Sequence, residues 1–299
     1  MFNKITIIGC GLIGSSLLRA IKKKKISNQI SVFDNSIKVR KKIKKIRLKC
    51  KIEKKISESV KNSDLIILCS PISSYNEIID NIKNKLKNNS IIIDIASVKN
   101  KSIEIIEKNI DTKIISWIPC HPIAGSEVSG PEYGSATLFE KKWCIITPTK
   151  NVKKNHLKKI FKFWKKIGSK VKVMNKIEHD RIFSITSHLP HLIAYNLVKT
   201  AIDLEKKNNS SIIQFSGGGL RDFTRTASSS EIMWRDVSIF NKNNILKSFN
   251  EFIKNLKKMS KLIKNENSNE LKKIFLNTKK IRKKIVLAKQ DTSKPDFGR

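Results

Sequence analysis

No long apolar run occurs anywhere in the 299 residues. The hydrophobic stretches, such as "KITIIG", "DLIILCS" and "SIIIDI", are brief, and none approaches the ~18 residues that a helical membrane span requires. Met1 leads straight into the first of them with no leader-like segment, so a cytoplasmic protein is expected. Cysteine is scarce. There are five (Cys10, Cys50, Cys69, Cys120, Cys144), an odd number without CxxC spacing. That argues against a disulfide framework and a thiolate metal site, and for reduced thiols. Acidic residues are also few, with 25 Asp and Glu against 62 Lys and Arg, a formal net charge of +37. Such an excess raises nucleic acid or anionic membranes as partners. Yet lysine is spread along the whole length at solvent-facing helix positions, beside abundant Ile and Asn and only 11 glycines. No helix-turn-helix pattern or concentrated basic face is present. The charge therefore reads as a solvated surface that attracts small anions, with no specific nucleic-acid or membrane partner.

The chain is 39% hydrophobic and 29% charged, a globular composition, and its length favours two domains. Its first half alternates short Ile-rich runs (Lys4–Ile8, Ile30–Phe33, Leu65–Ser70, Ser90–Ile95, Ile114–Trp117) with helix-period segments such as Leu12–Lys24 and Ser73–Lys87. Short apolar runs bounded by turn residues are the signature of buried parallel strands. Their alternation with helices predicts a doubly wound α/β sheet. After about Lys150 one more strand–helix unit, "NHLKKIFKFWKKIGSKVKVMN", is expected. From His179 onward the periodicity is helical, ending in Ile245–Asn265 and Asn269–Lys289 with apolar residues at i, i+3, i+4. This places the boundary near Met174, giving domains of residues 1–174 and 175–299. No internal repeat is found, and the tail "DTSKPDFGR" reads as frayed.

"ITIIGCGLIGSS" sets Gly9, Gly11 and Gly14 in G-x-G-x-x-G spacing, after a predicted strand and opening a predicted helix. Asp34 closes the second strand ("SVFD") 20 residues beyond Gly14. In that context the glycines serve a dinucleotide: a tight turn at Gly9, close backbone approach at Gly11, and helix–strand packing at Gly14. The helix N-terminus, with Leu12 and Ile13, offers N–H groups to a pyrophosphate. Asp34 would accept from the adenine ribose hydroxyls and repel a 2′-phosphate. No arginine follows it immediately, so NAD is expected over NADP. "LCSPISS", with Ser70 and Pro71, would edge the same cleft.

Four polar clusters remain. Ser97 follows the strand Ser90–Ile95, and His121 in "CHPIAGSE" follows the next, so both are expected at carboxyl strand ends, where open α/β sheets bind ligands. "SITSHLPHLIAYNLV" reads as one helix carrying Ser187, His188 and His191, the two histidines on a shared face. "FSGGGLRDFTRTASSSEIMWRD" brings Asp222, Arg225, Trp234 and Arg235. Each has an ordinary alternative. A single histidine at a strand end is commonly structural, Asp222 and Arg225 could form only an ion pair, and Tyr195 is most simply core. His188 and His191 lack an HExxH or cysteine ligand set, so no metal site is expected.

The combination of "GCGLIGSS", "HPIAGSEVSGPE", "SHLPH" and "GGGLRDFTRTASSSEIMWRD" closely resembles the prephenate dehydrogenase family, with its arogenate and cyclohexadienyl relatives, from Lys4 to about Asp236. The resemblance implies an N-terminal Rossmann domain followed by an all-helical dimerisation domain, with the active site between them. It implies NAD(P)-dependent oxidative decarboxylation of prephenate to 4-hydroxyphenylpyruvate in tyrosine biosynthesis, or of arogenate to tyrosine, by a homodimer, with NAD expected here from Asp34. By motif position His121 resembles the catalytic histidine and Ser97 the residue that hydrogen-bonds the ring hydroxyl. His188 and His191 resemble substrate-pocket histidines, Arg225 the carboxylate-binding arginine, and Ser126 and Glu127 residues of the pocket mouth. The absence of a mutase extension and of a regulatory domain within the sequence is consistent with a core dehydrogenase.

Two rivals are weighed against this. A β-hydroxyacid dehydrogenase would share the nucleotide half but rely on a helical lysine in place of the HPIAG and SHLPH histidines. A nucleotide-sensing nucleic-acid binder is suggested by charge alone. Chemistry favours the first reading: oxidation at the hydroxyl-bearing ring carbon requires the hydroxyl proton to leave, which neutral His121 can accept. Aromatisation then drives loss of the ring carboxylate without an added electron sink.

Overall fold

The computed structural model describes residues 1–287, so the "DTSKPDFGR" tail and the expected helix end at Lys289 lie outside the described residues. Six parallel strands form the main sheet: β1 (Lys4–Ile8), β2 (Gln29–Phe33), β3 (Lys51–Ile52), β4 (Leu65–Leu68), β5 (Ile91–Asp94) and β6 (Ser116–Trp117), in the order β3-β2-β1-β4-β5-β6. That order, reversing beside β1, is the doubly wound Rossmann arrangement. Alternation along the strands explains why both faces need cover. Ile5, Ile7, Leu65, Ile67, Ile91 and Ile93 enter one core, and Ile66, Leu68 and Ile92 enter the other. Helices α1 (Leu12–Lys23), α2 (Ile37–Lys45), α3 (Ile56–Val60), α4 (Tyr75–Ile82) and α5 (Lys99–Asn109) make the crossovers.

The chain then departs from the expected continuation. His121 lies within a short strand, β7 (Cys120–Pro122), rather than in the loop after β6. It pairs antiparallel with β8 (Trp143–Ile146), and β8 pairs parallel with β9 (Lys170–Val173), making a separate three-stranded sheet. The unit after Lys150 also runs in the opposite order, helix α6 (Lys154–Ile167) first and β9 second. Its apolar face (Ile160, Phe163, Trp164, Ile167) closes the first core, and Gly168 ends the helix at φ +104, a left-handed stop suited to glycine.

Beyond β9 the described residues form helices and no strand: α7 (Lys176–Phe183), α8 (Leu189–Asn208), α9 (Gly218–Thr224), α10 (Glu231–Phe240), α11 (Lys242–Lys264) and α12 (Ser268–Leu287). Trp234, Val237 and Ile245 from this half pack into the second core of the sheet. The stretch expected as one helix around "SITSHLPH" is instead a π-helical turn, Ser184–His188, before α8. Pro190 cannot donate in the α register, and a π turn is a common answer where a functional side chain must be re-aimed.

Gly14 shows how closely α1 meets the turn. A Cβ there would lie 2.1 Å from the Gly9 carbonyl oxygen. Gly14→Ala is expected to cost about 1–3 kcal/mol through overpacking against backbone, read as a lower urea midpoint at unchanged slope. An unmoved midpoint would show that the turn can yield.

Candidate active site

The glycine-rich turn has the geometry of an anion cradle. Gly9 sits at φ +85, and a Cβ there would lie 2.8 Å from the Cys69 carbonyl oxygen and 2.9 Å from Ser70 Oγ. Gly11 has open space where its Cβ would be. It caps α1 without a side-chain hydrogen bond, and the first turn carries no acid. The leading N–H groups, with Leu12 and Ile13 half-buried beside them, are thus available to a phosphate. The β2 strand ends at Asp34 beside this turn: Oδ2 accepts from Cys10 N at 2.7 Å and Oδ1 from Ser36 N at 2.9 Å. Each oxygen keeps a second lone pair for a ribose hydroxyl. Arg40 was not anticipated here: its guanidinium donates to the Asp34 backbone carbonyl at 2.5 Å and sits over the Phe33 ring at 5.9 Å. Ser70 and the exposed Pro71 form the opposite edge. These residues fit a dinucleotide.

His121 is 7% exposed, and its Nδ1 lies 2.8 Å from His179 Nε2. His179 Nδ1 in turn lies 2.8 Å from Asp180 Oδ1. Asp180 has further tasks. Its Oδ1 accepts from Lys99 N at 2.8 Å, and its Oδ2 accepts from Asn100 N at 2.9 Å and Asn100 Nδ2 at 2.8 Å. Two otherwise unpaired N–H groups at the start of α5 are therefore capped from another helix. Beneath, the buried Lys99 ammonium binds both Asp94 carboxylate oxygens (2.7 and 2.8 Å) and the Cys120 carbonyl at 2.6 Å. Cys120 N returns a bond to Asp94 Oδ1 at 3.0 Å, so the residue before His121 is fixed at both its backbone groups.

Burial lowers the His121 pKa well below the ordinary 6.5, aided by His179, Lys99 and His188. The imidazole is thus a neutral base at pH 7. Burial also raises the Asp180 carboxyl, but the hydrogen bonds from His179, Lys99 and Asn100 outweigh it and keep the group ionised.

The remaining expected residues gather nearby. His188 is fully buried, with Nδ1 3.1 Å from Asn241 Nδ2. Its Nε2 has no hydrogen-bond partner among the described residues, although the Ser97 backbone lies close enough to favour its protonation. Burial pushes the His188 pKa down to about 4. His191 stacks on Trp234 with centroids 4.0 Å apart and bonds the Ser187 carbonyl at 2.9 Å. Burial lowers its pKa, and Arg225 is near enough to add to the effect. Arg225 reaches 98 residues back to Glu127 Oε2 at 2.9 Å, and Ser126 Oγ donates to the same oxygen at 3.0 Å. A Cβ placed on Gly125, in the same loop, would lie 4.0 Å from Ile13 Cδ1 of the glycine-rich turn, so the nucleotide and chemistry sides adjoin. Tyr195 donates its hydroxyl to the Ser229 carbonyl at 2.8 Å, a structural role. Four of the five histidines therefore converge. Two residues of this network, His179 and Asp180, carried no motif signal in the sequence. Only the marker "EHD" at the first helix beyond β9 could have directed attention to them.

A dinucleotide-binding α/β unit joined to a helical unit, with a buried neutral histidine at their junction, defines a nicotinamide-type dehydrogenase by fold and site. Family comparison agrees. Residues 17–173 match the nucleotide-binding domain of prephenate dehydrogenase, and residues 176–277 match its dimerization domain. The cyclohexadienyl dehydrogenase of Zymomonas mobilis is 34% identical over 94% of this chain and 96% of its own length. The prephenate dehydrogenase of Bacillus subtilis is 28% identical over 96% of this chain and 77% of its own. Among solved structures, Aquifex aeolicus prephenate dehydrogenase in complex with hydroxyphenyl propionate and NAD+ superposes with a TM-score of 0.88 at 31% identity, covering 95% of this chain and 99% of that one. The chain belongs to the prephenate dehydrogenase family.

The lowered His121 pKa gives a signed expectation. The acid limb of kcat/KM should lie below pH 6.5, with activity holding as pH falls through that value and vanishing only when the imidazole gains its proton lower down. His121→Asn should reduce kcat by about 10²-fold or more with ligand binding retained. An acid limb above pH 6.5, or near-normal turnover in the variant, would return His121 to a structural role.

Proposed function

We propose that the protein is an NAD-dependent prephenate dehydrogenase, converting prephenate to 4-hydroxyphenylpyruvate. The observation that carries this reading is the buried, neutral His121 near His188, which the Ser97 backbone meets, one loop away from a turn built for a dinucleotide. Bound NAD would supply the hydride acceptor. The turn at Gly9, Gly11 and Gly14, with Leu12 and Ile13, would receive its pyrophosphate. Asp34, Ser70 and Pro71 would flank its nucleoside end. His121 would take the proton from the ring hydroxyl as the carbonyl develops, and Ser97 would orient that hydroxyl. Arg225 would hold the side-chain carboxylate, with Ser126, His188 and His191 shaping the remaining surface. The Aquifex structure, whose bound pair is hydroxyphenyl propionate and NAD+, supports this pairing of ligands.

Prephenate is favoured over arogenate on charge. Arogenate adds an ammonium, which requires an uncommitted acceptor. Glu127 is already shared between Ser126 and Arg225, and Asp180 is saturated by four donors. Leaving an ammonium unpaired in a partly desolvated site costs several kcal/mol, enough to set preference. The Zymomonas relative, named for cyclohexadienyl substrates, marks the alternative of dual use. A homodimer is also proposed. The match to a dimerization domain supports it, as do the large apolar side chains that α11 and α12 leave exposed, among them Leu246, Leu256, Ile263, Phe275 and Ile281.

Steady-state kinetics with both substrates should give at least about tenfold higher kcat/KM for prephenate. Arg225→Ala should chiefly raise KM, because a carboxylate contact goes while the base stays. Equal or better use of arogenate would mean that the Arg225–Glu127 pair opens to admit the amine, and would overturn the substrate assignment. NAD should be used far better than NADP, and Asp34→Ser should narrow the gap. Equal use by the unaltered enzyme would count against Asp34, and would point to Arg40 as a phosphate partner.

A further inference from the structure

The hydrogen bonds around His121 fix more than its position. Asp180 is ionised and accepts only, so the His179 nitrogen facing it must carry a proton. Neutral His179 then has its lone pair at Nε2, directed at His121 Nδ1 across 2.8 Å. His121 must therefore be protonated on Nδ1, which leaves Nε2 as the basic nitrogen. No hydrogen bond joins that nitrogen to another described residue, and His121 keeps 7% of its surface exposed. We propose that His179, oriented by Asp180, is a positioning residue that sets the tautomer of His121 and shares the proton His121 receives.

In this scheme the substrate hydroxyl proton goes to His121 Nε2, and the Nδ1 proton of His121 passes to His179 Nε2. His179 keeps its own Nδ1 proton, hydrogen-bonded to Asp180, which stays a carboxylate throughout. One proton enters and one positive charge results, and that charge rests beside the anion. The groups facing the pair are few and accounted for. Lys99 from the start of α5 is bound to Asp94 of β5, Phe183 of α7 packs both rings, and His188 is buried and neutral at pH 7. The Lys99 charge opposes protonation of either imidazole, so sharing with His179 against Asp180 is what makes the proton tolerable. A second-neighbour carboxylate–histidine chain orients bases and metal ligands elsewhere by the same physics.

The proposal rests on His121 acting as the base, so its test includes a readout that needs no substrate. Histidine-selective ¹⁵N NMR of the full chain at neutral pH, with His121→Asn for assignment, should show His121 protonated on Nδ1. His179→Gln can still accept from His121 and donate to Asp180 but cannot take up a proton. It should keep the tautomer, lower kcat by about tenfold and move the acid limb of kcat/KM to lower pH. His179→Phe should lose the tautomer preference and about 10²-fold in kcat, with thermal melting and NAD binding as folding controls. An Nε2-protonated His121 in the unaltered protein overturns the proposal. So does a His179→Gln enzyme with kcat within twofold and an unmoved acid limb, and this second result holds even if His179→Phe fails to fold. Should neither prephenate nor arogenate be oxidised, the substrate reading fails while the tautomer result still stands or falls on its own.

Discussion

The carboxylate of Asp180 joins the two halves of the molecule. It is 1% exposed and accepts from four donors: the Lys99 and Asn100 amides at the head of α5, the Asn100 side chain, and His179 on its own helix. Every one of those bonds crosses from the helical half to the nucleotide half or leads toward His121. A charged cap on buried N–H groups is worth more than a surface one, because the uncapped amides would otherwise be buried unpaired. The same bonds stabilise the ionised form. Asp180 therefore helps stability above the ordinary carboxylate range, and that help is lost as pH falls through its depressed folded pKa. Docking of the two halves and placement of the base thus depend on one anion.

A second buried ion pair supports the same residue from below. Lys99 and Asp94 are both fully buried, and between them they bind the Cys120 carbonyl and amide. Such a pair adds little net stability compared with apolar packing, but breaking one side of it costs about 3–5 kcal/mol. Its consequence here is geometric. It fixes the start of β7, a strand only three residues long that could not hold a register by itself. Lys99 also adds, after burial and His179, to the lowering of the His121 pKa.

Much of the fold was legible in the sequence because it rests on local rules. Ile-rich runs bounded by turn residues became β1, β2, β4, β5 and β6, and the glycine spacing marked the turn at the head of α1. The second sheet was hidden. Its strands are three or four residues long; β9 alone was foreshadowed, in the unit expected after Lys150, while β7 and β8, although mostly buried, are too short for an alternating pattern to tell them from loop. Ser97, His121, His188, His191 and Arg225 were read from motifs, and the structure gathers them at the junction of the two halves. His179 and Asp180 were missed for a physical reason. Adjacent residues on a helix point in different directions, so "HD" reads as an unremarkable solvent-facing pair until tertiary packing presses α7 against α5 and β7. The π turn at Ser184–His188 was equally invisible, since Pro190 just beyond it also suits the first turn of an ordinary helix.

The charge distribution divides two tasks that would otherwise conflict. Binding prephenate, the substrate proposed above, calls for positive potential, yet a base must not be protonated by the field that draws an anion in. Here the excess lysines lie on the solvated surface, where their potential steers anions over distances up to a Debye length. In the interior the cation beside the base, Lys99, is neutralised by Asp94, and burial lowers the pKa of all four clustered histidines. Desolvation thus protects the base from the surface field. It also sharpens the requirement at the moment of reaction, because a proton arriving on a buried imidazole needs a nearby anion. Asp180 is the carboxylate aligned with His121 through a bridging ring, and its bonds to α5 keep it in place.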